Sequence, residues 1–188
     1  MQIYFVSNNK FKIEEIKLLF SRTGIEIVPF SSEEIFEIQT KDSERLVKDK
    51  ALKAFSIIQR PLFIEHTYLK IHVINDFPNG LTSSFWDSFE SNLTCKFFGG
   101  SSATAETIIA YCDMRRIHLF EGKISGKIAS KPMGNNQFQW DNVFIPDGHK
   151  KSFAEMGAKV KNTISMRKMA VQNMLNFISN ESKNEQNK

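Results

Sequence analysis

Cysteine is scarce in this chain of 188 residues: Cys95 and Cys112 are the only two, and they are too far apart in sequence for a C-x-x-C metal or redox motif. They read as buried free thiols, which suits a reducing cytoplasm. No apolar run approaches the roughly 20 residues of a membrane span. The first residues, Met1 to Phe5, form a strand-like run without the charged and long apolar regions of a signal peptide. No internal repeat and no linker divides the chain. Lysine and arginine exceed aspartate and glutamate by 25 to 21, giving a net charge of +4 and a pI near 9.0, yet no basic run concentrates that charge. A small polyanion suits such a surface better than a nucleic acid, and no nucleic-acid partner is expected.

With 41% hydrophobic and 24% charged residues, the composition is that of an ordinary globular protein. One domain is expected over residues 1–178, followed by a polar, disordered tail from Ser179 to Lys188. Gln2–Val6 reads as a buried strand, and Ile13, Ile16, Leu19 and Phe20 recur at helical spacing after it. A further strand is expected at 25–29, and a helix capped by Asp42 or Ser43 carries Leu46, Val47, Ala51 and Ala54. Leu62-Phe63-Ile64 then forms a short strand that presents Glu65 and His66 at its end. This alternation predicts an α/β core with parallel pairing. Leu81, Phe85, Phe89 and Leu93 mark another helix. Residues 105–113 and 117–128 make an antiparallel hairpin suited to a second lobe. A short strand at 143–145 and a helix over about 163–178 complete the chain.

Two separated segments carry the chemistry. Ser7-Asn8-Asn9-Lys10-Phe11-Lys12 ends a strand in small polar residues and opens a helix. Backbone N–H groups at the positive end of the helix dipole favour bound phosphate there, and Lys12 can reach over it. The same residues suit a plain Asn-rich turn capping a helix. Far along the chain, Phe138-Gln139-Trp140-Asp141 and Ser165-Met166-Arg167 offer aromatic rings and cations, which suit a purine base.

These segments resemble the inosine triphosphate pyrophosphatase family, which removes non-standard purine nucleotides. Ser7 to Lys12 is similar to its Thr/Ser-x-Asn-x-x-Lys signature. Phe138 to Asp141, Phe144 to Gly148, Phe153 to Met156, Lys161-Asn162 and Ser165 to Arg167 follow its C-terminal order. The resemblance implies an elongated α/β mixed-sheet fold with two lobes flanking a nucleotide-binding cleft, usually a homodimer. In active relatives it implies magnesium-dependent hydrolysis of ITP, dITP or XTP to the monophosphate and pyrophosphate. Ser7, Asn9 and Lys12 would hold the phosphates with help from Lys50, and Lys12 would also serve catalysis. Glu37, with Glu65, would form the acidic metal site. Phe138 would stack on the base, with Trp140 and Asp141 shaping its pocket and Lys161, Met166 and Arg167 facing its edge. Physical chemistry agrees: stacking on an aromatic face contributes about 1–3 kcal/mol, and a cationic donor rewards the 6-keto oxygen over an amino group.

Departures from the pattern shape the expected function. Relatives read Glu-Asp-Thr/Ser-Gly where this chain reads Glu65-His66-Thr67-Tyr68, so His66 stands in the place of the catalytic aspartate. Imidazole is a poor magnesium ligand, which turns attention to manganese or to His66 as a general base. Tyr68 in place of glycine is expected to crowd the triphosphate. Met166 replaces a histidine and removes one contact to the base, about 0.5–1.5 kcal/mol. Gln137 and Gln139 replace glycines beside Phe138. The combination leads to the expectation of a catalytically impaired sensor or regulatory subunit that binds dITP, ITP or XTP and signals to an effector protein, as in a prokaryotic defence complex. The alternatives are an active pyrophosphatase in which His66 substitutes for the aspartate, and a purely structural interaction protein.

Overall fold

The alternating apolar runs assemble into one mixed sheet with helices on both faces. The computed structural model of the chain describes residues 1–135 and 139–186. In chain order the elements are β1 (Gln2–Val6), α1 (Lys10–Phe20), β2 (Glu26–Phe30), α2 (Ser43–Ile58), β3 (Leu62–Ile71), β4 (Phe77–Pro78), α3 (Thr82–Phe98), β5 (Ser102–Cys112), β6 (Ile117–Ile128), β7 (Phe144–Pro146), α4 (Phe153–Ile164) and α5 (Met166–Gln186). The sheet order is β2-β1-β3-β5-β6-β7, with β4 also paired to β3. Strands β1, β2 and the start of β3 are parallel, and the remaining pairs are antiparallel.

The register of β3 creates the site. One of its edges pairs with β5 along the whole strand, from Leu62 opposite Cys112 to Ile71 opposite Ala103. On the other edge β1 reaches only Leu62 and Phe63, and β4 meets only Lys70 and Ile71. The stretch from Ile64 to Leu69 therefore faces a gap in the sheet. Sequence pattern alone ends this strand at Ile64, because Glu65, His66 and Thr67 are polar. Pairing with the distant β5 carries it on to Ile71, so Glu65 and His66 lie in mid-strand.

Side chains of a strand alternate between faces. Leu62, Ile64 and Tyr68 pack in the core under α2 with Leu46, Val47, Ala51 and Ala54. Phe63 faces the opposite layer, where Ile16 and Phe20 of α1 meet Ala170, Val171 and Met174 of α5. Asp42 caps α2 by accepting from the Arg45 N–H at 2.9 Å, which fixes the helix that carries Lys50.

The helix α4 is absent from the sequence reading, although Ser152 and Glu155 form a capping box: each side chain accepts from the other residue's N–H, at 3.2 and 3.1 Å. The following helix, α5, begins at Met166 rather than at 163 and continues past Ile178 to Gln186. Its first turn lies directly on β6, where a side chain at Gly122 would come within 2.0 Å of the Met166 carbonyl oxygen. Only glycine allows that approach, and the approach is what brings Arg167 inward.

Candidate functional site

At the gap in the sheet lies a cavity of about 400 Å³ lined by Ser7, Asn8, Asn9, Lys12, Glu37, Lys50, Glu65, His66 and Thr67, together with Val6, Ile35, Ser83 and Gln139. The loop after β1 borders it because the strand stops at Val6 and the chain turns at once into a helix. Asn9 is the N-cap of α1, its side chain accepting from the Lys12 N–H at 3.2 Å, and the Ser7 hydroxyl accepts from the Asn9 N–H at 3.2 Å. The Asn-rich turn is thus a helix cap, and it also borders a polar cavity.

Charge in this cavity is arranged in pairs. Lys12 Nζ lies 2.9 Å from Glu65 Oε2, and Lys50 Nζ lies 2.5 Å from Glu37 Oε1. Arg167, almost fully buried, donates from Nε to Glu65 Oε1 at 3.2 Å and pairs through Nη1 with Glu15. Thr67 hydrogen-bonds to Glu65 and, at 2.7 Å, to Thr107. Burial alone would raise the Glu65 pKa, but Arg167 and Lys12 together hold it far below the usual carboxylate range. Glu37 is only partly buried; that burial alone would raise its pKa, but Lys50 outweighs it and the carboxyl is lowered. Both carboxylates are therefore ionised near neutrality.

His66 is different. Burial and the nearby Lys12 ammonium push its pKa down to about 4, so the imidazole is neutral at pH 7. Its Nε2 is buried and has no hydrogen-bond partner among the described residues. Because the folded pKa is depressed from 6.5, neutral His66 contributes stability in full above pH 6.5 and loses it as the pH falls toward 4. The thermal midpoint should therefore drop on acidification through that window, and His66→Asn should flatten the slope. An unchanged slope in the variant would assign the acid sensitivity elsewhere.

A second cavity, about 250 Å³, lies on the other side of Lys12 between α1 and α4. Its polar lining includes Glu14, Glu15, Asp141, Lys161, Asn162 and Arg167, and its apolar lining includes Phe11 and Phe153. Lys161 Nζ lies 2.6 Å from Asp141 Oδ2, both buried. Burial pushes the Asp141 carboxyl up even though Lys161 pulls it down. The chain of α4 is interrupted at Gly157, whose φ of +70° is a left-handed conformation that glycine adopts without strain. The break lies between Phe153 and Lys161, both of which line this cavity.

The structure brings Ser7, Asn9, Lys12, Lys50, Glu37, Glu65 and His66 to one cavity and Lys12, Asp141, Lys161 and Arg167 to the other. Trp140 and Met166 line neither; both are fully buried in the core cluster around Phe144 and Phe153. Phe138 lies outside the described residues. Tyr68 does not occupy the polar cavity, contrary to the expected crowding. It points into the core, where its hydroxyl donates to Glu106 Oε2 at 2.8 Å. Tyr68 lies on the α2 face of β3 with Leu62, Ile64 and His66, but one pleat beyond His66, opposite Glu106 of β5. Sequence reasoning missed Glu15 and Thr67. Glu15 lies three residues beyond Lys12 on the same helix face, and Thr67 lies two beyond Glu65 on the same strand face.

Among the described residues no group of three histidine, cysteine, aspartate or glutamate side chains is placed to hold a metal ion. Magnesium is usually held through one or two carboxylates together with substrate phosphates. The ionised Glu37 and Glu65 on one cavity wall fit that partial role, whereas the His66 nitrogen does not.

The fold is thus a mixed α/β sheet whose β1–α1 turn and broken edge border a polar cavity, with a second cavity beyond a shared lysine. The chain belongs to the Ham1 family, whose sequence model matches residues 3–177. It is 33% identical over 190 residues to the dITP/XTP pyrophosphatase of Porphyromonas gingivalis, covering 94% of this chain and 97% of that one. It is 32% identical over 185 residues to the inosine triphosphate pyrophosphatase of Yarrowia lipolytica, covering 95% and 96%. Among solved structures, the Ham1 protein of Staphylococcus aureus superposes with a TM-score of 0.73 at 19% identity, over 96% of this chain and all of that one, which shows the shared fold. Among the described residues no helix is long and apolar enough to cross a membrane.

Proposed function

We propose that this protein hydrolyses purine nucleoside triphosphates of the dITP, ITP and XTP type to the monophosphate and pyrophosphate. The observation that carries the reading is that Lys12 lines two cavities at once, one bordered by the β1–α1 turn with Lys50 and two carboxylates, the other by Asp141, Lys161 and Arg167. The relatives' names, dITP/XTP pyrophosphatase and inosine triphosphate pyrophosphatase, support it. In this reading the triphosphate lies in the polar cavity and the base in the other, in a cleft between two lobes. Lys161 and Arg167 donate toward the 6-keto edge. Magnesium carried with the nucleotide, on Glu37 and Glu65, would neutralise phosphate charge.

The chemistry of the chain's own groups follows. Lys12 and Lys50 hold the phosphate oxygens, and neutral His66 accepts at Nε2 a proton from the attacking water. That water's oxygen bonds to the α-phosphorus, and the bridging oxygen leaves with pyrophosphate. A base positioned in this way typically contributes about 10²- to 10⁴-fold.

One observation favours a second reading, binding without turnover. The low proton affinity of His66 makes it a weak base, and a protein that holds the nucleotide intact would serve as a sensor for an effector partner. Calorimetry with dITP, ITP, XTP and ATP, alongside pyrophosphate release by wild type and His66→Asp in magnesium, separates the two. The proposed activity requires wild-type turnover of dITP well above that of ATP. Tight dITP binding with turnover only in His66→Asp would establish the sensor instead, and no binding would reject both.

A further inference from the structure

In this chain the histidine at the cavity comes with a second unusual residue two positions on. His66 and Tyr68 point to the same face of β3, and their rings stack with centroids 5.6 Å apart and planes 22° from parallel. Tyr68 is almost fully buried and cannot swing away. Its hydroxyl donates to Glu106 Oε2 at 2.8 Å, and Glu106 stands directly opposite it on β5. Glu106 is fixed in turn by Lys70, whose Nζ lies 3.0 Å from Oε1, and by Lys123, opposite it on β6, at 3.7 Å. The tyrosine is therefore the inner end of a ladder of side chains running across three strands.

The imidazole needs such support. Its Nε2 has no hydrogen-bond partner among the described residues, and the open edge of β3 gives the ring no neighbouring strand on that side. A five-membered ring held on one face by an anchored phenol has its plane set, while its nitrogen stays free for a ligand. We propose that Tyr68 is a positioning residue for His66, so that the two form one functional unit that replaces an acidic residue at this wall. The functional half of this inference rests on the nucleotide reading given above; the structural half does not.

The unit predicts non-additivity. With ¹⁵N-histidine-labelled protein, the His66 imidazole nitrogens should give one resolved set of resonances in wild type and in Tyr68→Phe, which keeps the ring. In Tyr68→Leu they should shift and broaden. In pyrophosphate release from dITP, Tyr68→Leu should lower kcat about tenfold with KM within about twofold, and Tyr68→Phe should restore most of the loss. In a His66→Ala background, Tyr68→Leu should have no further effect beyond about twofold. A structural role alone would give the same loss in both backgrounds, and that result overturns the proposal, as does an unchanged His66 spectrum in Tyr68→Leu. Should the leucine variant fail to melt cooperatively, Tyr68→Met fills the volume without a ring and takes its place. Absence of dITP binding and turnover in wild type would reject the nucleotide reading alone, because the resonance measurement still tests the stack.

Discussion

Arg167→Met is expected to destabilise the fold by about 3–5 kcal/mol, the usual loss when one member of a buried charge cluster is removed. Arg167 is the shared partner of Glu65 and Glu15, and it also lies 3.4 Å from the Thr67 hydroxyl. Without the guanidinium, Glu65 keeps Lys12 and Thr67 but remains a fully buried carboxylate that has lost its largest stabilising charge. Methionine fills the volume, so the loss reports charge rather than a cavity. Urea denaturation at pH 7 measures it directly. Adding Glu65→Gln to Arg167→Met should recover a substantial part of the loss, because the unpaired charge goes with it. A single variant as stable as wild type would mean that solvent reaches this cluster.

Lys12→Ala is expected to lower pyrophosphate release from dITP by about 10²- to 10³-fold, the range for removing one donor aimed at developing charge. Lys12 is the residue common to both cavities, so it can touch the phosphates while its neighbours hold the base. Nucleotide affinity should fall with it. Lys48→Ala is the matching control: Lys48 is exposed on α2, pairs with Glu44 and lines neither cavity. If both variants behave alike, general surface charge rather than the cavity governs binding.

Much of this site is legible in the sequence because its parts are local. Ser7 to Lys12 is one turn, whose strand, cap and helix are set by neighbouring residues, and it folds as read. Asp42 announces α2 and thereby Lys50. The parts that are not legible depend on distant partners. The length of β3 comes from its ladder with β5, some 40 residues away, and no local pattern carries polar Glu65, His66 and Thr67 into a strand interior. The pairing of Arg167 with Glu15 spans 152 residues. Tyr68 illustrates the same limit: its residue type suggests obstruction, and only its place opposite Glu106 on the distant β5 shows that its ring lies in the core. The break in α4 at Gly157 and the seating of α5 over Gly122 are again tertiary facts, although the Ser152–Glu155 capping box could have revealed α4 itself.

The most direct measurement is ³¹P NMR of dITP incubated with the protein and magnesium, with ATP in parallel. Attack at the α-phosphorus gives inorganic pyrophosphate and the nucleoside monophosphate in equal amounts from dITP, with ATP left largely intact. Release of orthophosphate and diphosphate, equal consumption of ATP, or dITP recovered unchanged would contradict it.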